Sequence, residues 1–334
     1  MTLSRGGGRI EWVDAAKAIG LFLVFWGHLL YGGSSLGAVI NRAIYSFHMP
    51  MYFILSGYVM KSDSLSFIDY CRNKIKRILL PALILYCLTL PLYFYYLDYS
   101  TESLKTILMT IFYVKGICAY NSPIRFFFCM FQALVVLKLF NITEANNKLL
   151  LAIILGCIVV SYIDYETQWN YLNYFGFNKC ILGIFYIAIG ILLKRISFEK
   201  RMDLCGAISL PVWILTGVLL NSKVSMYGMH LGNLGLFVIS SLSGSLAFVF
   251  IVKMLKSNSK ILQYSKWTIF IVCSHFVLVT LFQWFSARLS IEGTYVFDFL
   301  SALYVLISLV VYKPICVFIE NRIPILIGKV LCKR

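Results

Sequence analysis

Charge is what this chain has least of. Asp, Glu, Lys and Arg together make up 13% of its 334 residues, and only 14 positions are acidic. A soluble domain carries about 25% charged residues, so water is excluded as the main solvent of the fold. The sequence also has no Cys-x-x-Cys pair. Its ten cysteines lie mostly inside apolar runs, where they read as small buried hydrophobes, so neither a metal site nor a disulfide framework is expected. No internal repeat, no inverted pair of interrupted helices and no long linker breaks the chain. No small-x-small cleavage site follows the first apolar run, which Asp14 and Lys17 interrupt, so that run is expected to stay as a first span. The expectation is a single domain over residues 1–334.

What is abundant is apolar side chain, 60% of all positions. A membrane-crossing helix needs about 20 mostly apolar residues. Runs of that kind fall at 14–31, 43–60, 78–97, 124–140, 149–164, 179–193, 204–221, 232–252, 267–286 and 298–312. They predict an all-α polytopic integral membrane bundle of about ten transmembrane helices, in contact with lipid around its whole perimeter. The apolar stretch between Lys105 and Lys115 is too short to cross and is expected to be interfacial or re-entrant.

The formal net charge is +16, but the basic residues sit in short clusters between apolar runs and not on an aromatic-studded face. Nucleic acid is therefore not an expected partner. The positive-inside rule accounts for the same clusters. With the N-terminus in the cytoplasm, the outer segments hold only Arg42, Lys105, Lys115, Lys223 and Arg288 among the 30 basic residues. Most of the others fall in the inner segments, including the basic tail. A multi-pass protein of the inner (plasma) membrane with both termini cytoplasmic is the expected arrangement.

The first span carries Asp14, Lys17 and His28. Eleven steps of a helix from Lys17 to His28 close to within about 20° of three whole turns, so the two share a face. Asp14 lies three residues before Lys17 on the same stripe. The lysine and histidine are roughly 16 Å apart along the axis. Ionisable groups on one stripe of a membrane helix must face protein or water, although Asp14 and Lys17 could equally be interfacial anchors. The second span opens Ser46-Phe-His48-Met-Pro50 and continues to Ser56-Gly57-Tyr58. Running the other way, it sets His48 at about the depth of His28, where the two could flank one cavity. Ser56 and Gly57 also suit close helix packing. The following segment, with Lys61, Arg72, Lys74, Lys76 and Arg77, is either a topology signal or a cradle for phosphates.

Together these motifs, strongest over residues 9–85, resemble the acyltransferase 3 family, including its fucose 4-O-acetylase-like branch. Such membrane enzymes move acetyl or related groups from cytoplasmic acyl-CoA to sugars. The resemblance implies that His28 is the essential catalytic residue, that Lys17 stands where the family has arginine, and that Arg77 and Lys74, with Arg72 and Lys76, contact the phosphates of acetyl-CoA. No metal is implied. Ser122-Pro123-Ile-Arg125 resembles a family segment in which tryptophan occupies the place of Arg125, a departure that bears on the acceptor. Ser265-Lys266 to His275 resembles a late family run ending in histidine. The implied reaction is transfer of an acetyl group to a hydroxyl of a cell-surface glycan or lipid-linked sugar. In it His28 is base or transient acyl carrier, with Asp14, Lys17, His48 and Ser56 in support. His230 has no such support and reads as a solvated histidine. The competing reading is a transporter or flippase for a lipid-linked glycan, which the tyrosine-rich stretch Tyr165 to Tyr174 would also suit.

Overall fold

In a hydrocarbon solvent each backbone N–H and C=O must find its partner inside its own segment, and the chain answers with helices. The computed structural model describes residues 10–97, 121–167, 176–226, 228–255 and 259–329. It is 83% helical, and among the described residues the nearest thing to a strand is one isolated bridge, Ser225 to His230. Both the Lys105 to Lys115 stretch and most of Tyr165 to Tyr174 fall outside the described residues.

Twelve α-helices of eight or more residues organise the described chain: α1 Glu11–Leu29, α2 Ser35–Tyr45, α3 His48–Tyr58, α4 Phe67–Lys74, α5 Leu80–Leu97, α6 Ile124–Leu139, α7 Asn147–Thr167, α8 Phe177–Arg195, α9 Met202–Trp213, α10 Leu234–Met254, α11 Thr268–Arg288 and α12 Tyr295–Arg322. Side chains cap several of them: Ser34, Asn233 and Thr294 each accept backbone N–H groups of the first turn, as expected for these residue types. π-helical turns at Ile75–Leu79 and Ile214–Leu220 join α4 to α5 and extend α9. Counting such extensions, seven helical segments among the described residues are long and apolar enough to cross a membrane.

One expected span is corrected. The run 43–60 is not a continuous helix: it breaks between Tyr45 and His48 into α2 and α3, each 11 residues long. The hydrophobic pattern runs unbroken across the break, so periodicity does not reveal it. α2 is docked through Asn41, which donates to the carbonyl of Gly27 at 2.7 Å, and Arg42, which donates to that of Val218 at 3.2 Å. At the break itself Trp213 Nε1 donates to Ser46 Oγ at 2.8 Å and His48 Nδ1 to the carbonyl of Ile44 at 2.8 Å. Pro50, in the first turn of α3, sits where a missing N–H costs nothing.

The centre of the bundle is α1 and α8, whose apolar windows are each 61% buried, whereas α7 and α12 are buried over only 22% and 28%. Exposed Phe299, Leu306, Val310 and Phe318 make α12 a lipid-facing wall. The helices α3 and α8 approach backbone to backbone. A Cβ on Gly57 would overlap the carbonyl of Ile187, and one on Gly190 would overlap that of Ile54. Only hydrogen at both positions lets the backbones meet.

The basic loops gather at one end. Lys194 donates to the carbonyl of Met60 at 2.8 Å, Arg195 to those of Ile142 and Thr143, and Lys253 pairs with Asp203 at 2.7 Å. The start of α1 is there too, with the rings of Trp12 and Tyr58 4.9 Å apart. So is the turn Pro324–Ile327, which packs on Ile75–Leu79 and α5. At the opposite end α12 is stitched to the loop after α1. Asp298 accepts the backbone N–H of Ser34 at 3.0 Å and also its hydroxyl, and Gly293 N donates to Gly32 O at 2.9 Å.

Candidate active site

Between α1, α3, α6 and α11 lies an upper cavity of about 110 Å³. His28, near the end of α1, and His48, the first residue of α3, both line it, as do Tyr45 and Arg125. Two antiparallel segments thus bring both histidines to one space, because the break after Tyr45 turns α3 back beside α1.

The hydrogen bonds assign protons. His48 Nδ1 lies 2.8 Å from the carbonyl oxygen of Ile44. A carbonyl only accepts, so in the neutral ring the proton is on Nδ1 and the lone pair on Nε2. His275 Nδ1 lies 3.2 and 3.0 Å from the carbonyl oxygens of Ile271 and Val272, with the same result. Its ring stands 5.4 Å from that of His28, and it is 1% exposed, a buried support behind His28. His28 Nδ1 is 3.1 Å from the Tyr45 hydroxyl, which can donate or accept.

Along the α3–α6 groove, towards the basic loops, lies a lower cavity of about 380 Å³. Ser56, Lys61, Asp63, Tyr70 and Lys74 are among its walls. Burial, then the neighbouring Arg77, lower the pKa of Lys74. Lys138 is bound to Asp63 at 2.8 Å, which ties the end of α6 to this loop. Between the cavities the rings of Phe53 and Tyr52 meet that of Phe126 at 5.0 and 6.0 Å. All three line the upper cavity, and on each helix the lower-cavity residues begin with the next turn.

The other residues singled out by sequence are scattered more widely. Ser56 is not beside His28: it belongs to the lower cavity and donates to the Tyr52 carbonyl at 2.8 Å. Eight helical residues separate it from His48, roughly 12 Å. Of the four basic residues expected to contact the coenzyme, only Lys74 lines the lower cavity; Arg72 on α4, and Lys76 and Arg77 in the π-turn that follows it, are exposed. Asp14 and Lys17 are half-buried on α1 and line neither cavity, although the Tyr52 hydroxyl donates to the carbonyl of Lys17 at 2.9 Å. His230 is exposed on the hairpin that Ser225 closes. The sequence motifs do not single out Tyr45 or Lys179, both on the upper cavity. For Lys179 a signal existed, since an ionisable residue inside a span is a site candidate by default. Tyr45 had only its place before the Ser46-Phe-His48 run.

The Acyltransferase domain family, acyltransferase 3, matches residues 10–320. The chain belongs to the acyltransferase 3 family. No curated protein and no solved structure matches it significantly. Membership extends the resemblance of residues 9–85 over nearly the whole chain, and makes the protein a multi-pass membrane acyltransferase.

Proposed function

We propose that this acyltransferase moves an acetyl group from cytoplasmic acetyl-CoA to a hydroxyl of a cell-surface glycan or lipid-linked sugar, from the inner (plasma) membrane with both termini in the cytoplasm. The observation that carries the reading is the pair of cavities on one α3–α6 groove, basic at one end and histidine-lined at the other. The lower cavity, with Lys61 and Lys74, receives the phosphates of the coenzyme, and exposed Arg72, Lys76 and Arg77 guide them in. The pantetheine arm reaches along the groove towards His28. Meanwhile the sugar approaches from the opposite side.

In direct transfer, the sugar hydroxyl gives its proton to His28 as its oxygen bonds the acetyl carbon. The C–S bond breaks, and the proton passes on to the coenzyme thiolate. His48, whose Nε2 keeps its lone pair, is a second acceptor for the hydroxyl proton. Tyr45 and His275 hold the His28 ring. Asp14 and Lys17 support the inner end of α1 without touching the reacting atoms. The test is transfer of labelled acetyl from acetyl-CoA to glycan by the purified chain in nanodiscs. Labelled product with wild type and none with His28→Ala, both binding acetyl-CoA, supports the reading; absence of acetyl-CoA binding to wild type overturns it.

A further inference from the structure

The lower cavity has a wall residue that the phosphate contacts proposed above leave unused. Tyr70, the fourth residue of α4, is 2% exposed and belongs to the apolar cluster that holds Met130, Leu134 and Leu137. Its hydroxyl is buried and makes no hydrogen bond within the protein. An unpaired buried hydroxyl is costly, and a ring that only filled space would serve as well in phenylalanine. Charge from two helices is gathered on that ring: Lys74 Nζ of α4 stands 5.0 Å from its centroid and Lys138 Nζ of α6 5.4 Å. Lys138 is fixed in turn by Asp63, through the carboxylate at 2.8 Å and the carbonyl at 3.2 Å. Burial, then the charge of Asp63, raise the pKa of the Tyr70 hydroxyl, which therefore stays a donor at neutral pH. The cavity of about 380 Å³ that Tyr70 helps to enclose is also lined by Lys61 and Lys74. A phosphate has several oxygens, so one group can take the tyrosine O–H and the lysine N–H together. A neutral amide would meet the hydroxyl without drawing on the charge of the ammonium.

We propose that the Tyr70 hydroxyl, together with Lys74, binds a phosphate group in the lower cavity, and that this bond makes the site select phosphate-bearing thioesters over pantetheine thioesters. This rests on the acyltransferase reading above and deepens it by naming the residue that sets donor specificity. The same chemistry would hold the phosphate of a lipid headgroup, and the experiment separates the two sources. Because the hydroxyl has no partner inside the protein, its removal weakens the liganded state and leaves the unliganded state at least as stable. A packing role gives the opposite pattern.

The experiment compares the full wild-type chain with Tyr70→Phe in dodecyl maltoside, a detergent without phosphate. Calorimetric titrations use three probes: coenzyme A, acetylpantetheine and dihexanoyl phosphatidic acid. Melting curves are recorded with and without coenzyme A. Tyr70→Phe is expected to bind coenzyme A about 10- to 100-fold more weakly, the scale of a hydrogen bond to a charged group. It should bind acetylpantetheine as wild type does and melt no lower than wild type without ligand. Coenzyme A should raise the melting temperature of wild type by more than that of the variant. Unchanged affinity for coenzyme A overturns the proposal. So does an equal loss on acetylpantetheine, which would assign the hydroxyl to the arm of the donor. An unliganded Tyr70→Phe that melts lower or fails to fold overturns it as well, since the hydroxyl would then have a partner inside the protein. Tyr70-dependent binding of the phosphatidic acid with no binding of coenzyme A keeps the phosphate site, assigns it to lipid and removes the transferase reading. Tyr70-dependent binding of coenzyme A by a protein that transfers no acetyl group also keeps the site and removes that reading.

Discussion

The proton positions on the imidazoles set what each histidine can do. His48 is held by a carbonyl at Nδ1, so its remaining nitrogen is a base facing the cavity, whereas His28 is held by a hydroxyl that can reverse its role. Removing a general base costs about 10²- to 10⁴-fold in rate. His28→Ala is therefore expected to abolish measurable acetyl transfer while keeping acetyl-CoA affinity. His48→Asn, which preserves an N–H towards Ile44 but removes the Nε2 base, should lose less, and His230→Ala should match wild type; initial rates on one acceptor rank the three. A second residue-scale prediction concerns Asp298. Its carboxylate accepts two hydrogen bonds from Ser34, and Asp298→Ala strands a buried N–H at a cost of about 1–3 kcal/mol. A lower melting temperature with the same KM for acetyl-CoA is the expected result. His28 and His48 were both legible in the sequence, because a polar residue in an apolar run stands out. The roles of Ser34, Tyr45 and Asp298 were not. Ser34 and Asp298 act on each other across 264 residues, and Tyr45 acts on the His28 ring from a separate helix. Sequence spacing carries no signal of that.

At the scale of helices, the α3–α8 crossing is tightly constrained, since both Gly57 and Gly190 meet backbone and not the flexible end of a side chain. Backbone cannot yield as a side chain does, so overpacking here should exceed the usual 1–3 kcal/mol. Gly190→Ala is expected to reduce the folded yield in detergent sharply. Gly156→Ala, on lipid-facing α7 with nothing within 4 Å of the added carbon, should leave it unchanged or raise it slightly; fluorescence size-exclusion profiles compare the two. The helices themselves were readable from apolar run length, to within a few residues at most ends. The break between α2 and α3 was not, because Ser46 and Phe47 are no stronger helix breakers than their neighbours, and the contact made at the break, Trp213 Nε1 to Ser46 Oγ, comes from 167 residues away.

For the molecule as a whole, the sorting of basic residues gave the grouping of loops that the contacts display. Residues 60–63, 142–147, 194–203 and 253 meet at one end, with the start of α1 and the turn Pro324–Ile327 beside them. Single cysteines placed in a cysteine-free background at Ser62 and Ser197 should be labelled only from the cytoplasmic side, and one at Ser222 only from outside. Labelling of Ser62→Cys from outside would reverse the orientation. On the same basic end, Lys61→Ala with Lys74→Ala should raise the KM for acetyl-CoA about tenfold with a smaller effect on kcat, since charge-assisted contacts to phosphate position the donor and take no part in bond making.

The three rings between the cavities have one more consequence, and it concerns electricity. A route open from one face of a membrane to the other conducts, and about 2.3 kcal/mol per elementary charge per 100 mV is then dissipated with each ion that passes. Phe53, Tyr52 and Phe126 set apolar rings between the upper and lower cavities, and an apolar constriction blocks ions by dewetting. The protein can therefore reside in an energised membrane without draining it. Phe126→Ala should turn it into a leak: proteoliposomes carrying the variant should collapse an imposed potassium diffusion potential in minutes, as read by a voltage-sensitive dye, while wild-type vesicles hold it.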